Sequence, residues 1–384
     1  MDLMQRAGQL KPMLVDFALS PLFKSELSEV IARNFPGGVV TDESALSMVV
    51  DNFVLQHRLR SGTTMVEAFV SAHPELTEAD RDMLLGWQDV VEGAFEVVGK
   101  DRDALVLLNF VDELTYRARS NLGPRAFRPL KKRMIVIGRL VRLGEEWLVS
   151  GHLAAFPASQ REFMLAAAAK QALANPRAAF RNPAKLAEAR RITAEHHKAF
   201  VDLFGADLIV VPGSEVPGKV DEFHRHLAQD EAQDEAQDEA GDDAPGLRPM
   251  DFPENLLDAD GVAMHFVAEE GLTFYPGYDL IEEVFRHPAL IARRRYRETL
   301  SSFLRDPEVS PEPLRRLAAR DPAKATAVFA KLLNRKRGFI WERDGEQLLR
   351  QHKPSYFDGT MMPRTVGLSK PQADAFKRAR QEQS

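Results

Sequence analysis

Ala94–Ser120, AFEVVGKDRDALVLLNFVDELTYRARS, and Met134–Leu153, MIVIGRLVRLGEEWLVSGHL, decide how this chain is read. Both are enriched in β-branched residues and alternate in part between apolar and polar. Turn signals fall at Gly99–Asp103 and Leu143–Glu146. About five short strands between Leu84 and Ala158 suit a small closed or half-closed β-barrel, because closure leaves no edge strand exposed. Just upstream, Leu84, Leu85 and Trp87 end a helix, and Trp87 is expected to pack against the barrel.

Toward the N-terminus, residues 1–83 read as helices. Leu22, Phe23, Leu27, Val30 and Ile31 make one apolar face, stopped by Pro36-Gly37-Gly38. Further helices start at Thr41, Thr64 and Thr77, the last with acids at 78 and 80. Beyond the barrel, Ser159 and Glu162 predict a capping box for an Ala-rich helix to Leu173. Asn182-Pro183 predicts a cap and first-turn proline for a longer helix ending at Gly205, followed by a short buried strand, Asp207–Val211. Beyond Met250, Val262–Val267 and Leu272–Tyr275 read as a hairpin. Helices Tyr278–Arg286, Ala289–Leu304, Ser310–Arg320, Asp321–Leu333 and a short one at Gln347–Gln351 follow. After Pro354 the tail is expected to pack poorly.

The chain of 384 residues has room for two or three domains. It contains no cysteine, which excludes disulfides, thiolate zinc sites and a Cys nucleophile. No apolar run approaches the roughly 20 residues of a membrane span, and the N-terminus lacks a signal-peptide pattern. A cytoplasmic protein without membrane attachment is expected. The net charge of −6 is misleading, because eight acids fall between Asp230 and Asp243 and the rest of the chain carries +2. Like charges four residues apart and no apolar face predict a mostly disordered, flexible acidic linker over 215–249, of which 229–246 is expected to be dispensable for folding.

These readings give an α+β protein. Its parts are N-terminal helices (1–83), a small β-barrel (84–158), helices and a short strand (159–214), an acidic flexible linker (215–249), a hairpin and helical C-terminal domain (250–354), and a tail (355–384). Residues 84–158 carry an LLxW motif (Leu84, Leu85, Trp87), a GxFEV motif (Gly93–Val97) and RLVRLGEEWLVSG (Arg139–Gly151). In these the segment resembles a β-rich region of uncharacterised bacterial proteins, some of which carry a SEC-C zinc motif. The resemblance implies a barrel and no activity; with no cysteine here, the zinc motif does not carry over.

Gly213-Ser-Glu-Val-Pro-Gly218-Lys219-Val220 has the outline of a phosphate-cradling loop after a strand. It departs from that pattern at Val220, where a Mg²⁺-binding hydroxyl belongs, at Pro217, which lacks an N–H, and at Glu215. His196-His197 and His224/His226 lack metal-ligand spacing and read as solvated or interface histidines. The phenylalanines read as core rather than as a base-stacking platform. Basic clusters at 293–297, 315–320 and 335–337 read as solvated faces.

The exception is Arg125, Arg128, Lys131, Lys132, Arg133, Arg139 and Arg142, seven cations with no acid between them, on one barrel loop and one strand. A phosphate-tracking surface requires such a run, and the acidic tract is expected to compete for it in cis. The expected function is a non-enzymatic binding protein contacting RNA or another polyanion through these residues. A protein–protein adaptor and a nucleotide-dependent enzyme using 213–220 are the alternatives. No catalytic residue, metal or cofactor is assigned.

Overall fold

The computed structural model describes residues 2–36, 43–235, 251–307, 309–334, 338–358 and 361–381. The chain is a mixed α+β protein that divides into two compact units, Met1–Pro183 with Leu368–Ser384, and Ala184–Gly367.

The first unit opens with five helices: α1 (Leu3–Ala18), α2 (Lys24–Asn34), α3 (Glu43–Leu55), α4 (Met65–Ala72) and α5 (Glu78–Gly86). The sequence reading expected helices over 1–83 without delimiting α1, which contains Pro12. Yet its Ala7, Leu10, Leu14 and Ala18 recur every three or four residues and are fully buried. Capping boxes start α4 (Thr64 with Glu67) and α5 (Thr77 with Asp80). Asp80 also receives a two-pronged bond from Arg6, 2.6 and 2.7 Å. That bond holds its carboxyl well below the usual range.

Five strands follow: β1 (Val90–Asp101), β2 (Ala104–Asn109), β3 (Thr115–Arg119), β4 (Ile135–Leu143) and β5 (Glu146–Phe156). β1 pairs antiparallel with both β2 and β4, and β3 runs parallel to β5. The pairing order β1-β2-β3-β5-β4 returns to β1, so the sheet closes on itself. Gly93 stands opposite Gly138 where β1 and β4 bend. A Cβ at Gly138 would lie 2.3 Å from Leu153 Cδ2 and 3.3 Å from His152 O, so a larger residue there would have to displace the Leu153 side chain.

Phe95, Leu105, Leu107, Tyr116, Leu140 and Trp147 fill the interior of the sheet. On the outer face, Val141, Leu143 and Leu148 join Trp87, Phe69 and Leu14 in a second core. β4 is therefore covered on both sides, which explains its nearly unbroken apolar sequence.

After β5, a 3₁₀ turn (Ala158–Gln160) leads into α6 (Arg161–Ala174), then a single turn α7 (Pro176–Ala179). Gln160 occupies the N-cap position of α6 and makes no side-chain cap, so the Ser159 capping box does not form. The C-terminal segment corrects the expectation of a loose tail, because Lys370–Gln381 is a helix with Gln372 and Ala375 buried. Gln372 Nε2 donates to Phe110 O at 2.6 Å, and its Oε1 accepts from Ser369 N at 3.0 Å. Ser369-x-x-Gln372 is a capping pattern that the sequence reading passed over.

The second unit contains α8 (Pro183–Phe204), β6 (Leu208–Val211), α9 (Val216–Glu235), β7 (Val262–Val267) and β8 (Gly271–Pro276). The strand order is β6-β7-β8, all antiparallel. The boundary expected at 214–250 therefore moves: the strand after α8 belongs with the hairpin. Alternation along β7 serves two cores. Val262, Met264 and Phe266 pack with Phe200, Val220 and Phe223, while Ala263 packs with Tyr275 and the helices after it. Those helices are Tyr278–Arg286, Arg294–Arg305, Glu312–Arg320, Pro322–Leu332 and Trp341–His352.

The linker expectation over 215–249 is corrected as far as Glu235, because α9 occupies 216–235. Val216, Val220, Phe223 and Leu227 form a buried stripe at spacings of three and four that nucleates the helix. Ala, Gln and Glu, good helix formers, then extend it. The remainder of the tract, 236–249, lies outside the described residues.

Candidate nucleic-acid interface

The connector between β3 and β4 carries the basic run, and its shape follows from two apolar anchors. Phe127, at the end of the 3₁₀ turn Pro124–Phe127, and Leu130 are buried in the core of the closed sheet. Between and after these anchors, Arg125, Arg128, Lys131, Lys132 and Arg133 are all exposed. Backbone bonds hold the turns: Arg128 N to Arg125 O (3.1 Å), Leu130 N to Phe127 O (3.1 Å) and Met134 N to Lys131 O (3.1 Å). Arg133 takes the left-handed conformation, φ 72°, uncommon for a side chain of its size. There its N–H donates to Val97 O at 2.8 Å while Val97 N donates to Met134 O at 2.8 Å. The connector is thereby stitched to the bulge of β1, between Val97 and Gly99. Lys100, next on β1, is exposed and donates to Arg128 O at 3.4 Å. It is a sixth cation that the sequence reading missed, because only the bonds joining Arg133 and Met134 to Val97 bring it beside the connector.

None of the five connector cations lies within ion-pairing distance of a carboxylate among the described residues, whereas the other arginine clusters are largely paired. Arg294 meets Glu298 (2.7 Å), Arg295 meets Asp260 (2.6 Å), Arg316 meets Asp207 (2.6 Å) and Arg320 meets Glu282 (2.5 Å). On β3, Arg117 pairs with Asp101 and Glu146, and Arg119 with Asp103 and Glu146. The acids Asp101, Asp103 and Glu146 at the β1–β2 and β4–β5 turns are thus matched by the arginines of β3. Residues 335–337 lie outside the described residues.

Two members of the run leave the site. Arg139 is only 3% exposed, turned onto the N-terminal helices. Its guanidinium lies 3.2 Å from Asp51, and Nη2 donates to Gln56 at 2.6 Å. Asp51 Oδ1 also accepts from Lys11 Nζ at 3.0 Å and from Ser150 Oγ at 2.6 Å. Burial lowers the Lys11 pKa against the pull of Asp51. This is a buried charge network joining helices to sheet. Arg142 is half exposed, 3.4 Å from Asp89 and stacked over Trp147 at 5.1 Å. It is engaged on the sheet's own surface.

The phosphate-loop outline at 213–220 forms no cradle. Gly213–Glu215 is a 3₁₀ turn running directly into α9, and Gly213 N donates to Ala259 O at 2.9 Å. A Cβ at Gly213 would lie 2.0 Å from Leu256 O, so the glycine serves close packing. Val216 and Val220 are buried, and Lys219 is bonded to Glu222 at 2.8 Å. Among the described residues no group of three or more His, Asp or Glu side chains is placed to hold a metal ion. Nor is any helix among them long and apolar enough to cross a membrane.

Comparison of the chain with protein-family models, with curated proteins and with solved structures finds no match.

Proposed function

We propose that the first unit binds single-stranded RNA, or a polyanion of like charge spacing, through the connector cations Arg125, Arg128, Lys131, Lys132 and Arg133. The observation that carries the reading is that these five neighbouring exposed cations have no carboxylate partner among the described residues, whereas Arg294, Arg295, Arg315, Arg316 and Arg320 each have one. An exposed cation without an internal counter-charge attracts counterions, and phosphates that replace them release those ions to solution. Phe127, the one aromatic of the connector, is buried, so no ring is offered for base stacking. Recognition therefore runs through phosphates and is indifferent to sequence.

Architecture supports the reading by analogy. The order β4-β1-β2-β3 is a Greek key, with β5 closing the ring. Five-stranded Greek-key barrels of the OB type bind oligonucleotides and oligosaccharides through the β2–β3 face and the β1–β2 and β4–β5 loops. Here those loops are two-residue turns beside which Asp101, Asp103 and Glu146 pair with Arg117 and Arg119 of β3, and the basic run sits on the β3–β4 connector instead. Fold analogy alone assigns no function; the unpaired cations carry the argument.

The test is a salt titration of full-length protein with fluorescent single-stranded RNA of two unrelated sequences. Affinity is expected to fall with log salt at a slope of about −3.5 for five phosphate contacts, with similar affinity for both sequences. No binding at low salt would leave the connector a solvated loop and favour the adaptor reading.

A further inference from the structure

A cavity of about 550 Å³ lies within the second unit. Its size falls in the range of small-molecule sites, roughly 300–1,000 Å³. Phe223 and Leu227 of α9, Phe266 of β7, and Leu272 and Phe274 of β8 form its apolar wall. Strand alternation brings Phe266, Leu272 and Phe274 to one face of the sheet, where they pack with α8 and α9. Thr273 and Tyr275 alternate to the other face, and the Tyr275 hydroxyl is paired with Ser310 at 3.1 Å.

The two charged residues of the wall are already matched. Arg364 is ion-paired with the buried Glu270 at 3.3 Å. Asp306 lies beside the Lys353 ammonium, which donates to the Asp306 main-chain carbonyl at 2.6 Å and is attracted by its carboxylate. An ionic ligand would therefore bring an unpaired charge against an apolar wall, which is costly.

His196 of α8 and His224 of α9 are different. Both are half-buried, both line the cavity, and their rings lie 6.5 and 6.2 Å from that of Phe223. Neither has a hydrogen-bond partner among the described residues. Burial lowers the pKa of both, so near pH 7 each is a neutral imidazole with one N–H and one lone pair. The sequence reading took them as solvated or interface histidines; packing of α8 on α9 brings them to one wall. A hydroxyl group uses what such a pair offers, donating to a lone pair on one ring and accepting the N–H of the other.

We infer that this cavity binds a small uncharged phenol, its ring against Phe266, Leu272 and Phe274 and its hydroxyl hydrogen-bonded to His196 and His224. A carboxylate would find no free cation, and a plain hydrocarbon would leave both imidazoles unmatched.

The experiment titrates full-length protein with 2-naphthol and 4-ethylphenol, with their methyl ethers and with 2-naphthoate, by isothermal calorimetry and saturation-transfer NMR. At least one phenol is expected to bind more tightly than its ether, which has no proton to donate, and more tightly than 2-naphthoate. His196→Phe and His224→Phe, which keep an aromatic ring and remove its nitrogens, are each expected to weaken the phenol severalfold and to leave the ether unchanged. The comparison of ligands on the wild-type protein stands even where a variant fails to fold. Failure of both phenols to bind at millimolar concentration would overturn the inference. So would an ether or 2-naphthoate that binds as tightly as the phenols, or phenol binding that both substitutions leave intact.

Discussion

Arg125–Arg133 and Arg139–Arg142 are separated by only the five residues 134–138 and look like one basic run, yet they meet opposite fates. The connector cations stand on a short loop pinned by Phe127 and Leu130, with no carboxylate among the described residues in ion-pairing reach. Arg139 lies in a strand covered on both faces and is held at 3.2 Å by Asp51, from a helix far away in sequence. Charge density along a sequence does not measure the field that a ligand meets. What matters is which acids folding brings alongside. The first group has charge to offer a partner; the second has already used its charge to join helices to sheet.

The sharpest way to break this contrast acts on the buried side. Asp51→Asn leaves Arg139 and Lys11 without their shared counter-charge, and uncompensated buried charge is costly. The variant is expected to lose about 3–5 kcal/mol of stability, read by denaturant unfolding. RNA affinity of the remaining folded protein is expected to be unchanged. A stable variant would show that the network is dispensable.

Next in size is a pH effect that tests the same rule, burial against pairing, in the second unit. His265 is 3% exposed, and desolvation lowers its pKa to about 4 against the opposing pull of Asp207. Arg316 and His197 add to the lowering. The unfolded chain takes up this proton near pH 6.5, whereas the folded chain resists until about 4. Stability contributed by the neutral folded histidine is therefore full above pH 6.5. It declines as pH falls toward 4, by at most about 1.4 kcal/mol per pH unit. Amide exchange across β7 and β8 between pH 7 and pH 5 checks this, and His265→Asn is expected to flatten the dependence. An unchanged dependence would assign it to other groups.

The smallest effect belongs to the residue between the two extremes. Arg142 and Asp89 form a partly exposed pair at 3.4 Å, and such pairs contribute about 0–1 kcal/mol. Arg142→Ala is expected to shift the thermal midpoint by only a few degrees and to leave RNA affinity within about twofold. A tenfold loss of RNA binding, about 1.4 kcal/mol, would return Arg142 to the interface.

Local pattern explains what the sequence revealed and what it concealed. The helix Tyr278–Arg286 and the strand pair β7–β8 carry strong periodicity between clear stops, so both were legible. The helix Lys370–Gln381 was hidden because its buried positions are Gln372 and Ala375, residues that signal no apolar face. In α9 the charged repeat drew attention from the stripe Val216, Val220, Phe223, Leu227 that anchors it. Within the candidate interface, the connector cations were legible as a run without acids. The withdrawal of Arg139 was not, because its partner Asp51 is distant in sequence and only packing brings them together. Lys100 was concealed for the same reason: the bonds joining Arg133 and Met134 to Val97 are tertiary.

The most direct test of the central claim compares single-stranded RNA binding by wild-type protein, by Lys131→Glu/Lys132→Glu, by Arg294→Glu and by Arg294→Glu/Arg295→Glu at fixed low salt. Arg294→Glu serves as a control at an exposed cation already paired with Glu298 in the second unit, and Arg294→Glu/Arg295→Glu matches the double variant's charge change of about −4 at two paired arginines. The lysine double variant is expected to lose at least about tenfold in affinity, about 1.4 kcal/mol. Its salt slope should become shallower, with stability within about 0.5 kcal/mol of wild type. Both arginine variants are expected to bind as wild type does. Equal losses in the two double variants would mean that binding follows overall charge, and undiminished binding by the lysine double variant would contradict the connector's role outright.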